Sequence, residues 1–292
     1  MAIDKFELTR KITEELNEEI GVPTIFIFPN KSKETSLTSS KFGGLPYWDK
    51  SLPYPTDKDG NKLKLLAQFN LGEISETCES DLGLLPNEGM LQFFLLAGED
   101  NFYGSDLDDA TNNNNFRVVY HPVIKEGFTV KDAEQLQIPT FSDEENDYEP
   151  IRGETGLDFS LEKNASPDYG AFKEKFIEKA AKYGWRIDTK PEDTNDLYEL
   201  LESEVGDELY ECAYIEENCL LGYPVFAQYD PRDEEDYPEY DTQLFQMVSS
   251  SNEEDSDFME SWGDMGMAHF FINHNKLIEK DFSDIMYYWD CY

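Results

Sequence analysis

Two spacings of apolar residues alternate along this chain and predict helices and strands in turn. Apolar side chains recur at helical intervals between Phe6 and Ile20, and Gly21 with Pro23 ends that helix. The apolar run TIFIF at 24–28 then predicts a buried strand. Two further helical patterns, at 167–185 and 193–211, each have one apolar face.

The strand-like part of the chain occurs twice. The segment NEGMLQFFL has a near copy in DMGMAHFFI, and the landmarks around them recur in the same order. The step from the glycine to the first glutamine is 24 residues in both copies. The landmarks are Gly44, Gln68, Gln92 and 116–122 in the first copy, and Gly222, Gln246, His269 and 285–291 in the second.

Two copies are too few for a solenoid, so we expect them to pack into one closed body. The predicted fold is α+β and mainly β: an internally duplicated strand-rich unit forming one body, with helices packed outside. We predict a single domain over 1–292. Its parts are an N-terminal helix at 1–21, repeat one at about 41–122, an acidic loop and helical insert at about 123–219, and repeat two at about 220–292.

Charge narrows the classes of partner. The 292 residues carry 63 acidic and 24 basic side chains, a net charge of −39. Such a chain repels phosphate backbones and anionic membrane surfaces, because binding there needs basic side chains. We therefore expect no nucleic-acid partner and no membrane partner, and instead a basic protein or a cation.

Targeting signals and cysteine usage indicate the compartment. The first residues lack the apolar segment of a signal peptide, and no run approaches 18 apolar residues. The four cysteines are scattered without C-x-x-C spacing, which is typical of reduced thiols. We expect a cytoplasmic protein, and the sequence leaves its oligomeric state open.

Several motifs carry a resemblance to a known family. KFGGLPYW, LLAQFN, GMLQFF, FRVVYH, LLGYP, DPR, GDMGMAHFFI and YYWDC resemble the YwqG-like family of uncharacterised bacterial proteins, from about residue 20 to the end. The resemblance implies a mainly β fold with an internal duplication and outer helices. It brings no catalytic residues. Members lie near polymorphic-toxin operons, which implies an immunity or accessory role.

Four buried polar positions are candidates for a small-ligand pocket. Strand alternation places Gln68, Gln92, Gln246 and His269 among apolar neighbours on one face of their strands, where they would converge if the repeats pair. The alternative is a hydrogen-bonded amide network that sets strand register. Trp262 and Asp264 join the candidates, since they lie at the entrance to the strand that carries His269. The alternative for Asp264 is a bond to the backbone of its own turn.

The acidic segment after the DPR motif is a second candidate surface. An acidic run can steer a basic protein, gather a hard cation or serve only as a solvated loop. Arg232 is expected to pair with a carboxylate or to hold an anion. The candidate partner-binding residues are Asp233, Glu234, Glu235, Asp236, Glu239 and Asp241.

Catalytic and metal-binding motifs are missing from the sequence. It has no G-x-S-x-G, H-E-x-x-H or phosphate-binding glycine motif, and its three histidines lack ligand spacing. We predict no catalytic residue, no cofactor and no metal site. The favoured function is a non-enzymatic acidic protein that binds a basic protein partner, as an immunity or antitoxin-like factor. The alternative is a small-ligand binder or hydrolase with its pocket at the repeat interface.

Overall fold

The chain divides into two compact units. A computed structural model describes residues 4–98, 102–144, 148–187, 197–232, 236–250 and 260–292. Unit one comprises Met1–Thr24, Leu161–Glu216 and Leu221–Val225, and unit two comprises Ile25–Ser160, Glu217–Leu220 and Phe226–Tyr292. The single domain expected over the whole chain stays a prediction.

The described residues form helices and strands in the proportion expected for a mainly β protein with helices. The helices are α1 (Lys5–Ile20), α2 (Leu71–Thr77), α3 (Val130–Gln135), α4 (Phe172–Lys182), α5 (Leu197–Ala213) and α6 (His274–Ile278). The strands are β1 (Val22–Asn30), β2 (Lys41–Gly43), β3 (Lys64–Asn70), β4 (Met90–Leu95), β5 (Phe116–His121), β6 (Glu154–Asn164), β7 (Cys219–Leu221), β8 (Thr242–Val248), β9 (Met267–Ile272) and β10 (Ile285–Asp290).

Unit one is built on α1, α4 and α5. The carboxylate of Asp4 starts α1 by accepting the backbone N–H groups of Phe6 and Glu7, and Gly21 caps its end as the sequence predicts. The apolar stripes of the three helices form one core. Its buried members are Leu8, Ile12, Leu16, Ala165, Phe172, Phe176, Ala180, Trp185, Leu197, Leu201, Val205, Leu209 and Ala213.

Unit two contains the duplicated strands, and their order in the sheet is nearly symmetric. The ten strands lie in the order β10-β9-β8-β7-β1-β6-β2-β3-β4-β5. Repeat one supplies β2 to β5 at one end, and repeat two supplies β7 to β10 at the other. Within each repeat, the successive strands pair antiparallel. The predicted fold class is confirmed.

The two repeats share their strand register. Gln68 pairs with Gln92 in repeat one, and Gln246 pairs with His269 in repeat two. Each repeat also has one bulge on its second strand, between Leu65 and Ala67 and between Gln243 and Phe245. The landmarks found in the sequence are therefore equivalent positions in the fold.

The repeats meet through an aromatic face. Phe93 of β4 lies 4.9 Å from Phe270 of β9 and 4.8 Å from Phe245 of β8, measured between ring centroids. At the sheet ends, the ring of Phe116 lies 5.3 Å from that of Tyr287, and Tyr287 donates its N–H to Ala110 O. The sheet therefore curls until strands from its two ends touch, and the shared face is closed to water.

A glycine before the third strand of each repeat permits a close backbone approach. A Cβ added at Gly266 would lie 2.0 Å from Asp290 O, and one added at Gly89 would lie 2.5 Å from His121 O. Asp290 and His121 end the fourth strands of their repeats. The repeated G-M pair in the sequence thus marks the point where the chain passes directly over the end of the neighbouring strand.

None of the described helices is long and apolar enough to cross a membrane.

Substituting Gly266 tests this approach. We expect Gly266→Ala to lower the free energy of unfolding by about 1–3 kcal/mol, because the added methyl group overlaps a backbone oxygen that cannot move freely. Gly72→Ala is the matched control: its Cβ meets only ordinary contacts in α2, so the change should stay within about 1 kcal/mol. Urea unfolding measures both. Equal stability of the two variants would contradict the close approach.

Candidate functional site

In repeat one, the predicted glutamines form a complete hydrogen-bond network. Gln68 Oε1 accepts the Tyr47 N–H at 2.8 Å and the Gln92 amide at 2.7 Å. Gln92 Nε2 also donates to Tyr47 O at 2.7 Å, and Gln68 Nε2 donates to the carbonyls of Leu37 and Ser39. Both side chains are fully buried. Their contacts tie β3 and β4 to the segments before and after β2, which is a structural role.

His121 completes that network. Its Nε2 lies 3.0 Å from Gln92 Oε1, and because this oxygen only accepts, Nε2 carries the proton. Burial lowers the pKa of His121 to about 4, so the ring is neutral at physiological pH. The rings of Tyr47 and Trp48 contact it edge-on at 5.2 and 5.0 Å.

In repeat two, the corresponding histidine is different. His269 takes the place of Gln92 and is fully buried, yet neither ring nitrogen has a hydrogen-bond partner among the described residues. Burial lowers its pKa to about 3, with Arg232 acting in the same direction, so the ring is neutral. Its partner across the strands, Gln246, donates to Glu217 O at 3.0 Å.

Aromatic rings and one ion pair cover His269. The ring of Phe226 lies 4.6 Å away and that of Phe271 stacks at 5.6 Å. The guanidinium of Arg232 sits 3.8 Å above the Phe271 ring and grips both carboxylate oxygens of Asp230, at 2.9 and 2.7 Å. In the DPR motif, Asp230 and Arg232 thus form a bidentate ion pair that closes a loop over the strand. Arg232 was expected either to pair with a carboxylate or to hold an anion, and this ion pair is the first of the two.

The structure brings the four polar candidates together in pairs, one pair in each repeat. Phe93 and Phe270, the strand neighbours of Gln92 and His269, point into the shared aromatic face, so the polar side chains point to the opposite side. There each pair lies beneath the loop of its own repeat.

Trp262 and Asp264 occupy the turn before β9. Trp262 is buried, and its ring contacts Tyr103 at 5.5 Å, while its Nε1 finds no hydrogen-bond acceptor in the described part of the chain. Asp264 is exposed. Its carbonyl oxygen accepts the Tyr292 N–H at 3.1 Å, whereas its carboxylate forms no hydrogen bond with the described residues. The carboxylate is therefore available to a partner from outside.

The acidic segment lies only partly within the described residues. Asp233, Glu234 and Glu235 fall outside them. Asp236, Glu239 and Asp241 are exposed. Asp241 has a local task, since its Oδ1 accepts the N–H of His274 at 2.8 Å at the start of α6.

Sequence reasoning missed a buried carboxyl group, Glu260. It is almost fully buried, accepts a hydrogen bond from Asn218 Nδ2 at 3.1 Å, and forms an isolated antiparallel bridge with Ile151. Burial raises its pKa to about 7, and the neighbouring carboxylate of Glu217 adds to the rise. No sequence signal marks Glu260, because nothing distinguishes one glutamate among so many until its surroundings are known.

Metal and small-molecule sites have little support in this unit. Within the described ranges, no three His, Cys, Asp or Glu side chains cluster as metal ligands. A cavity of about 520 Å³ lies between the turn at 57–61 and the loop at 106–115. Two of the carboxylates that line it, Asp57 and Asp106, accept hydrogen bonds from the backbone N–H groups of their own turns.

A family model covers most of the chain, including both repeats. It is described as a domain of unknown function (DUF1963), and it matches residues 40–291. The chain belongs to this family. A search of curated proteins finds no significant match. Membership in DUF1963 therefore places the duplicated unit within a known family and assigns no activity to it.

Apolar substitutions at equivalent positions should separate the two polar pairs. Gln92→Leu leaves the hydrogen-bond partners of a buried amide unsatisfied. We therefore expect the free energy of unfolding to fall by about 1–3 kcal/mol. His269→Leu removes two buried nitrogens that bond to nothing described, so its effect should stay within about 1 kcal/mol or be stabilising. Chemical denaturation measures both. A large loss for His269→Leu would mean that the ring is bonded after all.

Glu260 should make stability depend on pH. Its pKa is raised from 4.5 to about 7 in the folded chain, so the folded state binds more protons than the unfolded state between these values. Stability should therefore fall as pH rises from about 4.5 to about 7. We expect Glu260→Gln to be more stable than wild type by about 2–3 kcal/mol at pH 8 and nearly equal to it at pH 4.5. Parallel pH-stability curves would contradict the raised pKa.

Proposed function

We propose that this protein is a YwqG-like, non-enzymatic binding protein of the bacterial cytoplasm whose acidic surface recognises a basic protein partner. The partner relationship is that of an immunity or accessory factor to a toxin. The proposal rests on one observation: carboxylates are in large excess, and many of the basic side chains already pair with carboxylates of the same chain.

Ion pairs within the chain already neutralise many of the basic residues. The chain has only 24 Lys and Arg. At least twelve of these lie in ion pairs with carboxylates in the described part of the chain. Of the 63 acidic residues, these pairs involve thirteen. A partner therefore meets a surface of predominantly negative charge, which attracts basic proteins and speeds their association.

The alternative function has less support. A pocket for a small ligand at the repeat interface needs polar groups where the repeats meet, and the side chains that meet there are aromatic rings. Of the polar candidates, those in repeat one are fully bonded to protein groups. A hydrolase also needs a base within reach of a nucleophile. Burial keeps His121 and His269 neutral, as a base must be, but it also closes both rings off from the surface.

Affinity capture with charge-matched variants tests the proposal. Full-length wild type is immobilised and incubated with native lysate at about 50 mM and about 500 mM salt, since the higher salt screens surface charges strongly. We expect one basic protein to be retained near stoichiometrically at low salt and released at high salt. The variant Asp233→Asn, Glu234→Gln, Glu235→Gln, Asp236→Asn should lose it.

The control variant removes four exposed carboxylates elsewhere. Glu14, Glu18, Glu199 and Glu202 of α1 and α5 are exposed and form no ion pair in the described residues. Their change to Gln alters net charge by the same amount. Retention of the basic protein by the control and loss by the acidic-segment variant supports recognition. Equal loss in both variants shows that bulk charge alone is responsible, and no capture at either salt overturns the proposal.

A further inference from the structure

Three segments of unit two meet at the end of β10, and we call their exposed residues the Tyr229 surface. It comprises the loop at 228–229, the turn at 263–265 and the residues at 291–292. Gln228 Nε2 donates to Cys291 O at 2.6 Å, and the Tyr292 N–H donates to Asp264 O at 3.1 Å. A Cβ at Gly263 would lie 2.8 Å from the Cys291 sulfur, so the turn lies directly against the end of β10.

This surface exposes large apolar side chains. Tyr229 is 62% exposed, Tyr292 is 65% exposed and Met265 is 48% exposed. Met265 also has a φ of +52°, in the left-handed region that side chains other than glycine rarely adopt. The turn therefore holds a thioether out in water at a cost in backbone energy. Exposed large apolar side chains are typical of sites that bind another protein.

The charge on the surface is negative. Asp264 is exposed, and its carboxylate forms no hydrogen bond within the described chain. Arg232 is the basic residue nearest in sequence to Tyr229, and Asp230 neutralises it through both of its carboxylate oxygens. Aromatic rings and a carboxylate suit a guanidinium group, which stacks on aromatic faces and pairs with carboxylates.

In repeat one, polar groups at the equivalent positions bond within the chain. Asn87 stands where repeat two has Asp264, and it is bonded on both sides, to the Leu82 N–H and to Asp81. Lys50, beside the equivalent loop, pairs with Asp132 of α3 at 2.7 Å, and Phe128 packs against the cluster that contains Trp48. The polar groups at these positions thus bond within the chain in repeat one, whereas the Asp264 carboxylate of repeat two bonds to none of the described residues.

We infer that the Tyr229 surface binds an arginine-bearing segment of the basic partner. A guanidinium group stacks on the rings of Tyr229 and Tyr292 and pairs with the Asp264 carboxylate. Met265 supplies apolar contact for the arginine stem. This inference rests on the proposed function and adds the place and the preferred residue type.

Binding of two peptides of equal charge tests the inference. Fluorescently labelled nona-arginine and nona-lysine are titrated with the full chain at low salt, and anisotropy is measured. Both should bind through charge. Nona-arginine should bind at least about five-fold more tightly, because stacking on rings favours guanidinium over ammonium. The double variant Tyr229→Ala, Tyr292→Ala should reduce that preference to near unity and leave nona-lysine binding unchanged.

Three further variants separate the ring from the fold. Tyr229→Phe keeps the ring and should keep the arginine preference. Met265→Gly relieves the left-handed strain, so it should fold at least as well as wild type while weakening arginine binding. Tyr148→Ala removes another exposed tyrosine of the same unit and should change nothing. Thermal melting checks that each variant is folded.

The outcomes distinguish the two proposals. Arginine preference that survives the double alanine variant, or that Tyr148→Ala abolishes equally, overturns the Tyr229 surface. Equal binding of both peptides by wild type leaves the acidic recognition intact and removes the site. If neither peptide binds wild type even at low salt, the proposed function fails and the inference falls with it.

Discussion

The aromatic face between the repeats is the constraint on which unit two depends. Each repeat has a row of rings on one side of its strands, and those rows contact each other through Phe93, Phe245 and Phe270. A four-stranded sheet alone would leave that row in water, and burying an aromatic side chain stabilises a fold by about 1.5–3 kcal/mol. The contact between Phe116 and Tyr287 then brings the sheet ends together. Because one face is committed to this core, polar chemistry is confined to the other face.

Much of this arrangement is encoded in local sequence patterns. The equal spacing of Gly44 to Gln68 and of Gly222 to Gln246 correctly indicates equivalent strands, because register is set by strand length and turn geometry. The helices at 5–20, 172–182 and 197–213 follow from their apolar periodicity. Side-chain direction across the sheet was harder to foresee. Alternation tells which residues share a face, but only the contacts of Phe93 with Phe270 show which face turns inward.

The site residues show the same limit. That Gln68 and Gln92 are buried and paired follows from the pattern, while their hydrogen bonds with the backbone of Tyr47 depend on how a loop folds back. No sequence pattern predicts the role of Glu260, because its raised pKa comes from surroundings that distant segments contribute. Divergence between the repeats carries further information. Where repeat one has Gln92 and His121 bonded to each other, repeat two has His269, which has no partner among the described residues, and Asp290, whose Oδ2 accepts the Gln228 N–H at 2.8 Å. There the Arg232–Asp230 ion pair closes the loop.

The scale of the acidity also bears on function. A small domain needs a net charge of only about 2–8 to remain soluble. The charge of −39 is far larger, and self-repulsion of that size opposes the compact state. The basic side chains do relieve part of it: Lys179, for example, lies 3.0 Å from both Glu15 and Glu19. Yet the basic residues are too few to relieve the rest. A positively charged partner would convert that repulsion into attraction at the interface.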